Sequence, residues 1–258
     1  MKKLKIAWHL SVAKRILPRY KPTDEPDFGR RGLLALDELD TNGYLLVPGL
    51  VDTETVQSLI AEQARFAQPD APLSVEIQLV HRSAVIRSFA MSGPQVPLAV
   101  EVLGPNVCFT HQQFVSKGPS AGDASDVPWH QDSGYGRLEP ASDLTVWIAL
   151  TDTDEENGCL WVIPGSHREG LVEHSPQRGL IGAEVRERGV PVPMRCGDAL
   201  LFGGLLMHRS LPNRTEMPRH GMYLRYCTPD VRMMSLGGRP VLEDGYSWMV
   251  AGEATPSE

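Results

Sequence analysis

The sequence predicts a mainly β protein in which α-helices flank a double-sheet core of the jelly-roll or barrel type. Three observations carry this. From Val107 onward the chain breaks into short apolar runs separated by Gly, Pro, Asp and Asn, a texture of many strands joined by turns rather than of alternating βα units. The 24 Gly and 21 Pro are spread along the chain instead of clustering in linkers, so turns recur throughout. Helical spacing is confined to the N-terminal part, where Val56, Leu59, Ile60 and Ala64 recur on one face.

Taken in order, residues 1–30 read as an arm. Lys2, Lys3, Lys5, Lys14 and Arg15 surround an apolar stretch too interrupted, by Lys5 and His9, to serve as a signal peptide. Leu33–Leu39 reads as a short helix, and Asn42-Gly43 as a turn into a strand, Tyr44–Val47, closed by Pro48-Gly49. Asp52 or Thr53 is placed to cap the next helix, and a second helix is expected between Pro97 and Leu103. Strands are expected at Val107–Val115, Leu144–Leu150, Cys159–Ile163, Ala199–Phe202 and Met222–Cys227. The resulting plan is one domain over 1–258: the arm 1–30, a helical support segment 31–105, a β core 106–230 that carries the site, and a tail 231–258.

The bulk properties exclude several functions. A chain of 258 residues with 41% hydrophobic and 22% charged residues has enough material for one sizeable core. A net charge of −7 argues against a nucleic-acid surface, which needs a basic face. The four cysteines form no C-x-x-C pair, so free thiols in a reducing compartment are expected. No stretch approaches the length of a transmembrane helix. A soluble, cytoplasmic monomer or homodimer acting on a small molecule is the expectation, with neither membrane nor nucleic acid as partner.

The densest chemistry lies in Val127-Pro128-Trp129-His130-Gln131-Asp132. On an extended segment side chains alternate with period two, so His130 and Asp132 face the same way and can approach one metal ion. A histidine from a remote strand would complete a two-histidine, one-carboxylate set that leaves coordination positions open. The candidates are His9, His81, His111, His167, His174, His208 and His220. His208 is favoured by its surroundings: Ser210 follows two residues later and Arg219 eleven later. An arginine so placed offers a planar fork for the far carboxylate of a co-substrate whose other end chelates the metal.

Together, His130-Gln131-Asp132, Asn157-Gly158-Cys159-Leu160, Ile163-Pro164-Gly165-Ser166-His167 and His208-x-Ser210 with Arg219 resemble the phytanoyl-CoA dioxygenase family, over about Val107 to Cys227. The resemblance implies a double-stranded β-helix (the jelly-roll, cupin-like fold), Fe(II), and 2-oxoglutarate with O2 as co-substrates. By position it implies that His130, Asp132 and His208 bind the metal, and that Arg219, helped by Ser210, holds the distal carboxylate of 2-oxoglutarate. Lys117 matches a lysine common near the family's active site, and Thr145 lies on a strand that could face the co-substrate. His167 falls in what is a structural corner in the family. Because Asp132 is present where halogenating relatives carry a small residue, hydroxylation with release of succinate and CO2 is the expected outcome.

For the substrate, the loop after Asp132 supplies Tyr135 and Arg137 as candidate contacts, and the stretch from Glu76 to Arg82 as a candidate wall. Family membership does not specify the substrate, and a small metabolite or natural-product intermediate is the preferred class. Two other readings compete: a cupin-like metalloenzyme with non-oxidative chemistry and no keto acid, and a catalytically silent jelly-roll binding protein.

Overall fold

The structure is a computed structural model that describes residues 36–68, 70–177, 179–234 and 248–252. The arm 1–30 and the first residues of the Leu33–Leu39 helix lie outside these; the chain is helical over 36–42.

Strand β1 (Tyr44–Val47) is followed by helix α1 (Thr53–Ala64). Asp52 starts the helix, its carboxylate accepting the Thr55 amide at 2.8 Å and so satisfying one of the donors a helix start leaves unpaired. Then come β2 (Leu73–Ile77), α2 (Ala84–Ser92) capped by Ser83, and α3 (Gln95–Leu103). The remaining strands are β3 (Val107–Lys117), β4 (Val127–His130), β5 (Arg137–Glu139), β6 (Asp143–Ala149), β7 (Leu160–Val162), β8 (Ser175–Gln177) and β9 (Leu180–Gly182). They are followed by β10 (Val190–Val192), β11 (Ala199–Phe202), β12 (His208–Ser210), β13 (Arg219–Cys227), β14 (Arg232–Met234) and β15 (Trp248–Ala251).

Two sheets face each other. The larger runs β1-β11-β6-β13-β3-β15, with β2 also on β3; the smaller runs β10-β7-β12-β4. Period-two alternation explains why the central strands are apolar on both sides. Val146, Ile148, Met222, Leu224 and Tyr226 pack outward with α1, α2 and α3 through Val56, Leu59, Ile86, Phe89 and Ala99. Their neighbours Trp147, Ala149, Leu200, Phe202 and Tyr223 turn inward against Leu160, Val162 and Val192 of the smaller sheet. This is the jelly roll expected from the sequence.

Several expectations are adjusted. The strand reaching Val115 continues to Lys117, and the one expected from Met222 starts at Arg219, which brings both basic residues onto paired strands in register with each other. β2 and α2 were not anticipated. The segment read as a tail contributes β15, whose Trp248 and Met249 pair with Phe109 and Cys108 of β3. Among the described residues no helix is long and apolar enough to cross a membrane.

Candidate active site

β4 ends at His130, and the chain then enters a short 3-10 turn over Asp132–Gly134. Gln131 between them keeps extended dihedrals (φ −108°, ψ 138°), so the alternation that puts His130 and Asp132 on one face survives the end of the strand. His208 opens β12 directly opposite His130 in the antiparallel ladder. The three side chains meet: His130 Nε2 lies 3.7 Å and His208 Nε2 3.6 Å from Asp132 Oδ1, and their candidate ligand atoms all fall within 4.8 Å of one another.

The hydrogen bonds around this trio set its chemistry. His130 Nδ1 donates to Pro128 O at 2.8 Å and His208 Nδ1 to Leu206 O at 3.0 Å. Each ring therefore holds a proton on the outer Nδ1 and turns Nε2 toward the carboxylate. Burial, followed by the nearby His208, pushes the His130 pKa down to about 3, so its imidazole is neutral near pH 7. Burial acts to raise the Asp132 pKa, but His208, His130 and Arg225 outweigh it and hold the carboxyl below its ordinary value. Two Nε2 atoms and a carboxylate oxygen thus converge in a buried space. The donor set fits a first-row divalent metal with positions left open.

Thr145, on the strand that could face the co-substrate, donates its hydroxyl to Asp132 Oδ2 at 3.1 Å, which aims Oδ1 at the two imidazoles. Thr145→Val is expected to weaken metal binding about tenfold while leaving the fold intact. Equilibrium titration with Co(II), read by visible absorbance, measures this.

The second half of the site is Arg219. It is fully buried at the start of β13, its guanidinium 5.3 Å from the Trp147 ring. Nη2 donates to Gly158 O at 2.8 Å and Nη1 to Val115 O at 3.2 Å, while the buried Nε has no partner. No carboxylate of the described residues pairs with it, and burial lowers its pKa to about 10. A buried cation with an orphaned donor and no counter-anion is a fit for a carboxylate ligand. Ser210 is buried two residues after His208 on β12, on the same face of that strand.

Lys117 does not join this anion site with a free donor. Its ammonium is spent on three carbonyls, Ser125 at 2.5 Å, Leu211 at 2.6 Å and Ser210 at 2.8 Å. Three donated bonds need the ammonium form, held against the burial and the Arg219 charge that press its pKa down to about 6. It ties the end of β3 to the end of β12. Tyr135 sits beside the metal ligands, its ring edge-on to His130 at 5.5 Å. Its hydroxyl, however, is taken up by the backbone of Ile181, donating to O at 3.0 Å and accepting from N at 3.2 Å. Arg137 is exposed and paired with Glu139 at 2.7 Å; the structure does not bring it to the metal ligands. His167 bonds the Asp40 carbonyl at 3.0 Å, away from the trio.

Sequence reasoning missed the buried Arg225–Asp143 pair, with Nε 2.8 Å from Oδ2, whose positive charge bears on Asp132. A signal was available: Arg225 is six residues after Arg219 on one strand, hence on the same face.

A jelly roll whose inner face carries a two-histidine, one-carboxylate trio and a buried unpaired arginine is the framework of a non-haem metal oxygenase. The family described as Phytanoyl-CoA dioxygenase (PhyH) matches residues 39–221, and the chain belongs to it. It is 26% identical over 233 residues to the peroxisomal phytanoyl-CoA dioxygenase of Rattus norvegicus, covering 77% of this chain and 69% of the rat protein. It is 33% identical over 133 residues to phytanoyl-CoA dioxygenase domain-containing protein 1 of Danio rerio, where the match spans 47% of this chain and only 44% of the relative. In fold it is similar to the epimerase SnoN, solved with Fe3+, alpha ketoglutarate and nogalamycin RO. The TM-score is 0.70 at 20% identity, covering 86% of this chain and 99% of that one.

Proposed function

We propose that this protein is an Fe(II)- and 2-oxoglutarate-dependent oxygenase that hydroxylates an unactivated C–H bond of a small metabolite. The observation that carries the reading is the pairing of two unlike vacancies in charge. Two imidazole Nε2 atoms converge on Asp132, and a buried arginine without a counter-anion, Arg219, shares the same interior. A keto acid with a second carboxylate answers both, whereas a metal site without a keto acid leaves Arg219 unexplained.

In this reading His130, Asp132 and His208 would hold Fe(II), and Arg219 with Ser210 would bind the distal carboxylate of 2-oxoglutarate. Bound iron, with 2-oxoglutarate and O2, supplies the oxidising power and releases succinate and CO2. The chain's own residues do the positioning. Thr145 orients Asp132, the two Nδ1 bonds hold the imidazoles in the ligating tautomer, and Trp147 roofs the Arg219 guanidinium and keeps water from it.

The substrate has an open approach along the inner face of β2 and β3. There Val75 and Ile77 are 46% and 58% exposed, in register with the half-buried Val115 and Gln113. The carboxylate at Asp132 supports hydroxylation over halogenation. The similarity in fold to an epimerase marks the outcome as a property of substrate placement rather than of the fold.

The test is anaerobic titration of the protein with Fe(II) and 2-oxoglutarate. A weak visible charge-transfer band is expected only when both are present. Absence of the band with both at saturating concentration overturns the reading.

A further inference from the structure

We infer that Gln131, the residue between the two ligands of the His130-Gln131-Asp132 run, is a positioning residue that sets the spacing of the two chain segments carrying the metal site. This rests on the metal-binding reading above. The backbone alone does not hold those segments together. In the β4–β12 ladder, His208 pairs with His130, the register then shifts before Ser210, and β4 ends at His130. Asp132 lies beyond the last ladder position, in the 3-10 turn.

The Gln131 side chain takes over where the ladder stops. It is fully buried. Its amide nitrogen donates to Leu205 O at 2.7 Å and to Gly170 O at 2.8 Å, and its amide oxygen accepts from Val172 N at 2.9 Å. Leu205 belongs to the turn that delivers His208, three residues later. One amide thus joins the His130–Asp132 segment to the His208 segment and to the 170–172 stretch. Two further bonds run parallel to it. Gln131 N donates to His174 Nε2 at 2.9 Å, and Ser133 N donates to Gly204 O at 3.0 Å. Every side-chain hydrogen-bonding role of Gln131 points at backbone, so its effect on the metal passes through the spacing of Asp132 and His208.

Plain core stabilisation predicts a different result, and the two separate experimentally. Gln131→Met keeps the volume and removes all three side-chain bonds; Gln131→Asn keeps a buried amide too short to span both segments. Leu98→Ala, on α3 and away from the site, provides a comparable loss of stability by cavity formation. Co(II) affinity and the visible ligand-field spectrum are measured well below the melting temperature of each metal-free protein. The expected result is a roughly 10- to 100-fold loss of Co(II) affinity and an altered spectrum in Gln131→Met, with neither in Leu98→Ala. If Gln131→Met does not fold, the same comparison on Gln131→Asn decides. Affinity and spectrum equal to those of the unsubstituted protein overturn the inference. Failure of the unsubstituted protein to bind Co(II) at all overturns the metal-binding reading instead.

Discussion

His208→Ala is expected to lose the metal and with it all 2-oxoglutarate-dependent turnover. His208 is buried, 4.2 Å ring to ring from His130, and of the trio it alone comes from β12, the strand paired with β4. Its removal leaves two donors, from the end of β4 and the turn after it, and among the described residues no other histidine joins the trio. Since losing an outer partner of a metal ligand costs about 10- to 100-fold in affinity, loss of the ligand itself is expected to cost about 1000-fold or more. The fold should survive, because the ring is replaced by a smaller apolar group in a space that also adjoins Phe202 at 4.7 Å. Metal content after dialysis, together with circular dichroism, measures both halves. Retention of stoichiometric metal in folded His208→Ala would remove it from the ligand set.

Arg219→Ala is expected to do the reverse, keeping the metal and losing the co-substrate. The guanidinium has no carboxylate partner among the described residues, whereas Arg225 is paired with Asp143 at 2.7 Å and the Lys117 ammonium donates to three carbonyls. Removing one partner of a buried charge pair costs about 2–5 kcal/mol, so 2-oxoglutarate affinity should fall about 30-fold or more. A stability cost accompanies it, because Val115 O and Gly158 O lose donors and a cavity opens under Trp147. The two sum to about 2–4 kcal/mol. Binding is therefore measured at low temperature, with Co(II) affinity as the control for an intact metal site.

Much of this site was legible because it follows from period two and from spacing. His130 and Asp132 share a face through an extended Gln131, and Arg219 opens the strand after the one that carries His208. What was illegible depended on backbone brought in by the fold. Lys117 reads as a lysine near the active site, and only the fold shows Ser125, Ser210 and Leu211 turning their carbonyls onto it. Tyr135 reads as a substrate contact until the Ile181 backbone occupies its hydroxyl. Arg137 could have been placed from the sequence, since Glu139 two residues on shares its face of the strand.

The same holds for the elements. β6 and β13 are legible because both of their faces are buried, which leaves dense apolar runs interrupted only by Thr145 in Leu144–Leu150 and by Arg225 in Met222–Cys227. β2 escaped because its pattern is inverted. Ser74 and Glu76 are buried against Gln63 and Ser116 in a polar cluster under α1, while Val75 and Ile77 are exposed on the opposite face of the strand. A reader expecting apolar residues inside passes over such a strand. β15 pairs across more than a hundred residues of chain with β3, a contact that no local pattern announces.

The claim at the centre is a site for a metal together with a dicarboxylate. Calorimetric titration of 2-oxoglutarate into the Ni(II)-loaded protein and into the metal-free protein tests it most directly. Saturable, one-to-one binding to the metal-loaded form is expected, and binding weaker by at least about tenfold without the metal, where chelation is lost and Arg219 alone remains. Equal affinity for both forms, or none for the metal-loaded one, would contradict it.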